Sequence, residues 1–240
     1  MAPSANAPTF VLIAGYRLGA WAWDEVRDRL TALGRRVIPM TLPGLDETDP
    51  DRASRSVEDQ AAAIERVLTS EAGPAVVVAH SGANVPVSVV LDRHPEAVRR
   101  VIWVDSGPVA PDYAPSAPEE LEELPLPPFD VLGEAASLEG LTADVLARFR
   151  RRAVPEPGPV VCGSVQLSND ARRRVPTKLV CCSIPSGELT ALAEAGHPMF
   201  AEVAELEHLE LVDLPTGHWP MWSRPAELAQ ILAGAASTAD

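Results

Sequence analysis

Short apolar runs alternate with amphipathic stretches along most of the chain. Six runs of mostly apolar residues have the length of buried strands, and they cover residues 9–14, 36–41, 74–79, 100–105, 178–183 and 209–213. Apolar side chains recur at helical spacing between these runs, over residues 21–33, 56–70, 84–93, 141–152, 188–195 and 225–233. This alternation predicts an α/β fold with about six mainly parallel strands and helices on both faces of the sheet.

Two local signals refine this prediction. Ser56 is followed three residues later by Asp59, a pattern that is typical of a capping box at the start of a helix. Pro39 interrupts the second apolar run, and a proline lacks the N–H group that a central strand must donate. The proline therefore either argues against a strand at 36–41 or places that strand at an edge of the sheet.

The regular alternation stops between the fourth and fifth strands. Residues 107–175 are rich in proline and contain one credible helix, at 141–152. Connections of this length commonly form lids or binding elements. We therefore expect one domain, residues 1–240, with a small helical cap inserted at roughly 107–175.

Polar groups follow several of the predicted strands. Gly15 and Tyr16 follow the first strand, Ser81 the third and Asp105 the fourth, while His218 lies in the loop after the last. Ligands of parallel sheets bind outside the carboxyl ends of the strands. These residues, although distant in sequence, are expected to converge on one edge of the sheet.

Three sequence motifs carry a family resemblance. They read FVLIAGYRLGAWAW (10–23), VVVAHSGANVPVSVV (76–90) and DLPTGHWPMWSRP (213–225). In this order they resemble the α/β-hydrolase superfamily, in particular the short subgroup that includes hydroxynitrile lyases and plant methyl-ester esterases. The resemblance covers nearly the whole chain, apart from the variable cap, and implies the α/β-hydrolase fold.

The resemblance also implies catalytic roles. The nucleophile elbow of the family, G-x-S-x-G, appears as Ala79-His80-Ser81-Gly82-Ala83, with alanine in place of both outer glycines. Ser81 matches the nucleophile and His218 the general base, and the backbone N–H groups of Tyr16 and Gly82 match the oxyanion donors. The alternative for Ser81 is a simple helix cap, because serine is a preferred capping residue.

The acid that should support the histidine is not evident. The family usually places it after the penultimate strand, where this chain reads CCSIPSGEL without an aspartate. Asp105 is the favoured substitute, followed by Glu188, and Asp213 is a weaker candidate. A site without any acid also remains open.

Further residues are candidates for substrate contact. Arg17 could bind an anionic substrate group or could be a solvated side chain. Trp219 and His80 are expected near the substrate, although His80 also suits a supporting role behind the catalytic residues. Ala14 occupies a position at which relatives usually carry histidine. No set of His, Cys, Asp or Glu has the spacing of a metal site, and no cofactor is implied.

Composition excludes some partners. A formal net charge of −14 disfavours binding to nucleic acid. No apolar run is long enough to span a bilayer, and the N-terminal residues do not resemble a secretory signal. The three cysteines form no disulfide framework, and Cys181 and Cys182 suit a buried strand as small apolar residues. These features favour a cytoplasmic enzyme with a small-molecule substrate. A homodimer is compatible with them, and the oligomeric state stays open.

Three functions are compatible with the sequence. The first is a serine hydrolase that cleaves a small carboxylic ester or related acyl substrate through Ser81 and His218. The second is a non-hydrolytic enzyme of the same fold, such as a lyase or a biosynthetic cyclase. The third is a ligand-binding protein without turnover, which retention of both Ser81 and His218 argues against.

Overall fold

The computed structural model describes residues 8–115 and 120–235. Most of the N-terminal stretch compared with a secretory signal (residues 1–7 of 1–10) and residues 116–119 of the cap lie outside this range. The strands of the described part are β1 (Phe10–Ile13), β2 (Val37–Met40), β3 (Ala75–His80), β4 (Val98–Val104), β5 (Glu123–Leu124), β6 (Glu156–Pro157), β7 (Thr177–Cys181) and β8 (Leu209–Asp213). The α-helices are α1 (Asp24–Ala32), α2 (Val57–Ser70), α3 (Asn84–Arg93), α4 (Phe129–Ala135), α5 (Ala143–Arg152), α6 (Gly158–Val161), α7 (Ser186–Glu194), α8 (Ala201–Ala204), α9 (Pro220–Ser223) and α10 (Pro225–Ala235).

Six strands form one sheet in the order β2-β1-β3-β4-β7-β8, and every neighbouring pair is parallel. This confirms the predicted α/β class and strand number. Within the sheet, His80 at the end of β3 pairs with Val104 at the end of β4. Ser81 and Asp105 therefore leave adjacent strands at the same level.

Alternate residues of the strands point into two separate apolar layers, as the two-residue period of a strand requires. On one face of the sheet, Val77 packs in the same cluster as Ile64 of α2. On the other face, Val78 packs in the same cluster as Val26 of α1 and Leu228 of α10. Helices thus cover both faces, as predicted.

The predicted local signals are also present. Pro39 lies in β2, an edge strand of the sheet. The side chain of Ser56 accepts a hydrogen bond from the N–H of Asp59, whose carboxylate accepts one from the N–H of Ser56, which completes the capping box of α2. The helix predicted at 21–33 begins instead with a 3₁₀ turn, and α1 starts at Asp24.

The segment between β4 and β7 contains more structure than the sequence indicated. In addition to α5, it holds α4, α6 and the antiparallel pair of β5 with β6. Of these elements, α4 has seven residues and the others have two to four, which is too few for a clear periodic signal. Within the described part of the chain, no helix combines the length and apolar character needed to cross a membrane.

Candidate active site

The elbow at Ser81 is a tight turn between β3 and a 3₁₀ turn that leads into α3. Ser81 has a φ of 52°, in the left-handed region that L residues rarely adopt. Ala79 and Ala83 are buried on either side of it. Alanine at both positions therefore preserves the elbow, because its methyl group is small enough for the close approach of strand and helix.

Backbone strain is concentrated at this edge of the sheet. In residues 8–115 and 120–235, the non-glycine residues with positive φ are Arg17 (70°), Ser81 (52°) and Asp105 (46°). All three follow the carboxyl ends of strands, in β1, β3 and β4 respectively. Strained backbone of this kind persists only where surrounding contacts determine it, and it is typical of functional sites.

Ser81, His218 and Asp105 form a continuous chain of hydrogen bonds. Oγ of Ser81 lies 2.8 Å from Nε2 of His218, and Nδ1 of His218 lies 2.6 Å from Oδ2 of Asp105. The loop after β8 contributes the histidine, so the chain joins residues from three different strand ends. Geometrically this is the arrangement of a nucleophile, a general base and an orienting acid.

Asp105 is held by several donors at once. Its Oδ1 accepts hydrogen bonds from the N–H groups of Cys182 (3.1 Å) and Ser183 (2.8 Å), and its Oδ2 accepts one from the Ser183 hydroxyl (2.6 Å). Burial alone would raise the pKa of Asp105, but the hydrogen bonds from His218 and Ser183 and the charge of His218 together lower it. The carboxylate is therefore ionised in its place behind the histidine.

The other carboxylates considered for this role lie elsewhere. Glu188 is exposed in the first turn of α7. Asp213 accepts hydrogen bonds from the N–H and the hydroxyl of Ser186, both at 2.7 Å. It holds the start of α7, and the carboxylate bonded to His218 is that of Asp105.

His80 lies behind the site and does not face a substrate. It is 1% exposed. Its Nδ1 accepts the N–H of Gly15 at 3.3 Å, which places the ring proton on Nε2, and Nε2 donates to the carbonyl oxygen of His218 at 2.7 Å. Burial and the neighbouring His218 lower the pKa of His80 to about 3, so the ring stays neutral. The predicted substrate contact of His80 is wrong, because both nitrogens are occupied by backbone groups.

The loop after β1 passes very close to the elbow. A Cβ atom at Gly15 would lie 2.6 Å from Cβ of Ser81, and one at Gly82 would lie 2.5 Å from ring atoms of Tyr16. Only glycine fits at these two positions. The N–H of Gly82 belongs to the first turn of a helix, where amides have no intrahelical acceptor, and within the described residues the N–H of Tyr16 also has no acceptor.

Arg17, which follows Tyr16, is bound to the cap. Its N–H donates to Oε2 of Glu156 at 2.7 Å, and its side-chain Nε donates to the carbonyl oxygens of Leu124 and Pro125, both at 3.1 Å. The side chain is therefore not freely solvated. Whether its remaining guanidinium nitrogens contact an anionic substrate stays a prediction.

Trp219 packs beside His218. This tryptophan is 5% exposed. Its ring packs edge-on against the rings of His218 and of Phe149 in α5, with distances between ring centroids of 4.9 and 5.5 Å. The loop is further fixed by the cap, since the N–H of His218 donates to the carbonyl oxygen of Ser137 at 2.8 Å. Trp219 thus supports the position of His218, and its contact with substrate stays a prediction.

Sequence reasoning missed two side chains at this site. Ser183 follows β7, in the loop where relatives usually carry the acid, and its hydroxyl close to a strand end was the available signal. Glu156 lies in a proline-rich stretch of the cap and is 1% exposed. Its contact with Arg17 spans 139 residues of sequence, so no local pattern could indicate it. In the described residues, no group of three or more His, Cys, Asp or Glu side chains could hold a metal ion.

Comparison with known proteins agrees with the fold. Residues 10–231 match the alpha/beta hydrolase family. The chain belongs to this family. Because the matched region begins in β1 and ends in α10, it includes the whole sheet and the segment between β4 and β7.

Several proteins that are similar to this chain are named as esterases. The chain is 25% identical over 256 residues to methylesterase 7 of Arabidopsis thaliana, covering 95% of both chains. It is 32% identical over 113 residues to methyl jasmonate esterase 1 of Vitis vinifera, covering 43% of this chain and 41% of the relative. Among solved structures, an Arabidopsis methylesterase superposes with a TM-score of 0.73 at 17% identity, covering 97% of this chain and 100% of that one. This last similarity shows the fold alone.

Proposed function

We propose that this alpha/beta hydrolase is a serine esterase that cleaves small carboxylic esters. The observation that carries the proposal is the hydrogen-bond chain from Ser81 through His218 to Asp105, with distances of 2.8 and 2.6 Å. A serine hydroxyl is a weak nucleophile unless a neighbouring base removes its proton. His218 is in bonding contact with that hydroxyl, and Asp105 fixes the ring orientation that this transfer requires.

In the first half of the reaction, the Ser81 proton passes to Nε2 of His218 while Oγ forms a bond to the ester carbonyl carbon. The carbonyl oxygen becomes negatively charged, and the N–H groups of Tyr16 and Gly82 stabilise it. When this tetrahedral intermediate collapses, the bond between carbon and the alcohol oxygen breaks. His218 returns the proton to that oxygen, and the free alcohol leaves an acyl group on Ser81.

In the second half, water replaces the alcohol. His218 accepts a proton from the water as its oxygen attacks the acyl carbon, and the same two N–H groups hold the oxyanion. Collapse breaks the bond to Oγ of Ser81, which takes the proton back from His218. The products are a carboxylic acid and an enzyme in its original protonation state. No external cofactor enters this balance.

The relatives favour esters of small alcohols as the substrate class. Their names assign methyl esters, including methyl jasmonate, to those proteins. We extend the methyl-ester class, without a particular acid, to this chain. Arg17 is the candidate contact for an anionic group on the acid part.

Hydrolysis is favoured over the non-hydrolytic alternative by the position of Asp105. Two features of the sequence favour a lyase or cyclase, the missing acid after β7 and the altered oxyanion loop at Ala14. Asp105 provides a carboxylate to His218 from the end of β4, at 2.6 Å, which removes the first of these two arguments. A binding protein without turnover would have no use for this aligned set of groups.

A fluorophosphonate reagent tests the proposal directly, because it reacts covalently with activated serines. We expect one label per chain in the wild-type protein and none in Ser81→Ala. Turnover of p-nitrophenyl acetate should show a burst of p-nitrophenol in the first cycle. Equal labelling of wild type and Ser81→Ala, or no labelling of either, would refute a serine esterase. Ser88→Ala is a suitable control, because this buried serine of α3 accepts the N–H of Val109 and is not bonded to His218.

A further inference from the structure

Glu156 is a buried carboxylate that the reaction above does not use. It is 1% exposed and lies in β6 of the cap. Its Oε2 accepts the N–H of Arg17 at 2.7 Å, and its Oε1 accepts the side-chain amide of Gln60 at 3.4 Å. A carboxylate is costly to bury unless the surrounding groups compensate for it. The buried position of Glu156 next to the loop that carries Tyr16 therefore suggests that its contacts with this loop have a function.

The cap holds Arg17 from several directions. Leu124 and Glu156 are directly opposite each other in the antiparallel pair of β5 and β6. Leu124 accepts the side-chain Nε of Arg17 at 3.1 Å through its carbonyl oxygen, while Glu156 accepts the backbone N–H. The N–H of Val154 donates in turn to the carbonyl oxygen of Arg17 at 3.1 Å. These contacts hold the residue in its left-handed conformation, with a φ of 70°.

Tyr16 lies between two anchored amides. The N–H of Gly15 is held by Nδ1 of His80 at 3.3 Å, and the N–H of Arg17 is held by Glu156 at 2.7 Å. The orientation of the intervening peptide group is fixed when both of its neighbours are fixed. The N–H of Tyr16, which has no acceptor within the described residues, is thereby left available to a ligand.

We propose that Glu156 is a positioning residue for the oxyanion site, through which the cap sets the direction of the Tyr16 N–H. This inference rests on the proposed esterase function and adds a residue of the cap to it. An oxyanion donor is effective only when it is aligned before the charge develops. Loss of the Glu156 acceptor should therefore reduce stabilisation of the transition state more than binding of the substrate.

The charged and titratable groups that face Glu156 are consistent with this role. Arg17 and the phenol of Tyr16 interact with it electrostatically from the loop after β1. Gln60 of α2 contributes a neutral amide, which also donates to the carbonyl oxygen of Pro43 at 3.2 Å. Arg52 pairs with Glu123 on the neighbouring strand, not with Glu156. The backbone N–H of Arg17 is thus the shortest contact of the carboxylate.

The test combines amide exchange with kinetics in three variants. Glu156→Ala removes the acceptor, Glu156→Gln keeps a neutral one, and Glu123→Gln is the matched control, since Glu123 lies in the paired strand and contacts Arg52. NMR hydrogen exchange at pH 8 follows the Arg17 amide without any substrate. Steady-state hydrolysis of p-nitrophenyl acetate gives kcat and KM.

In Glu156→Ala we expect the Arg17 amide to exchange at least about tenfold faster and kcat to fall roughly 10- to 100-fold, with KM within about threefold. Glu156→Gln should recover most of kcat and exchange about threefold faster than wild type, because a neutral acceptor binds the N–H less strongly. Glu123→Gln should match wild type. If Glu156→Ala does not fold, the comparison of Glu156→Gln with wild type carries the test.

Unchanged Arg17 exchange in the Glu156 variants would overturn the inference, as would equal losses in Glu123→Gln. Unchanged kcat in Glu156→Ala would overturn it too, even if exchange became faster. A wild-type protein that hydrolyses no ester and takes no fluorophosphonate label would refute the esterase proposal instead. The exchange comparison would then still decide whether Glu156 holds the loop.

Discussion

The hydroxyl of Ser183 donates to Oδ2 of Asp105, the same oxygen that faces Nδ1 of His218, and both distances are 2.6 Å. The carboxylate that contacts His218 therefore comes from the end of β4, while the end of β7 supplies a hydrogen-bond donor to it. The side chain of Asp105 is only 6% exposed, so these donors replace the water that it has lost. Replacing either Asp105 or Ser183 should therefore affect His218, but to different extents.

Replacing Asp105 by Asn should nearly abolish esterase activity. The amide retains the shape of the carboxylate but cannot stabilise the histidine cation, and it favours the wrong ring tautomer. We expect kcat to fall by about 10³- to 10⁴-fold, measured with p-nitrophenyl acetate. Glu188→Gln and Asp213→Asn are the controls, because neither carboxylate is bonded to His218. Loss of activity in either control of the size seen in Asp105→Asn would contradict the assignment.

Replacing Ser183 by Ala should have a moderate effect. The variant removes one donor to Oδ2 of Asp105 but leaves the two backbone N–H donors to Oδ1 in place. We expect kcat to fall about three- to tenfold, in the range of one hydrogen bond to a charged group that water can partly replace. Ser186→Ala is a matched control, since it removes the equivalent hydroxyl contact to Asp213 in the same loop. A similar decrease in both variants would indicate a general effect on the loop.

Replacing Gly15 by Ala should disturb both stability and catalysis. The added Cβ atom would lie 2.6 Å from Cβ of Ser81 and 2.9 Å from the carbonyl oxygen of His80, so the elbow or the loop must shift. Overpacking of this kind destabilises a protein by about 1–3 kcal/mol. Urea unfolding and kcat measure the two effects. Gly73→Ala meets no atom within 4 Å and should leave both quantities unchanged; a silent Gly15→Ala would disprove the tight contact.

The stability of the protein should depend on pH through Glu156. Burial is the largest effect on this group, and it raises the pKa of Glu156 from 4.5 to about 7 despite the hydrogen bonds from Arg17 and Gln60. Between these two values the folded state keeps a proton that the unfolded chain has lost. This contribution to stability is complete below about pH 4.5 and is lost as the pH rises to about 7.

Glu156→Gln removes this titration. At pH 8 we expect its free energy of unfolding to exceed that of wild type by on the order of 3 kcal/mol, with the difference shrinking towards pH 5. Urea unfolding at the two pH values measures it. Glu123→Gln again serves as the control. A Glu156→Gln variant that is less stable than wild type at pH 8 would show that the ionised carboxylate stabilises the fold.

The sheet and its main helices could be predicted because short stretches of sequence indicate each of these elements. Most strands of the sheet are short, mainly apolar runs, and the longer helices repeat apolar residues every three to four positions, so these elements could be located from their own sequence. α3 and β8 have the predicted bounds, 84–93 and 209–213. The positions of Ser81 and His218 could be predicted for a related reason: each belongs to a motif of neighbouring residues.

The rest of the site depends on contacts that no short stretch encodes. Which of Asp105, Glu188 and Asp213 supports His218 could not be decided without knowing that β4 pairs with β7. This pairing brings Ser183 to Asp105 across 78 residues of sequence. The sequence suggested that His80 contacts a substrate. Its burial beneath Gly15 depends on the packing of the loop after β1, which the residues around His80 do not encode. The cap strands could not be predicted, since β5 and β6 have two residues each and are held by contacts with each other and with residues distant in sequence, such as Arg17.

The cap contacts two of the loops that carry the candidate site. It accepts the backbone N–H of His218 through Ser137 and that of Arg17 through Glu156. A chimera that carries the cap of another esterase on this scaffold would therefore inherit a different alignment of both loops, together with a new pocket. Such a chimera should acquire the substrate specificity of the donor only if its new cap places acceptors at the positions of the Ser137 carbonyl oxygen and the Glu156 carboxylate.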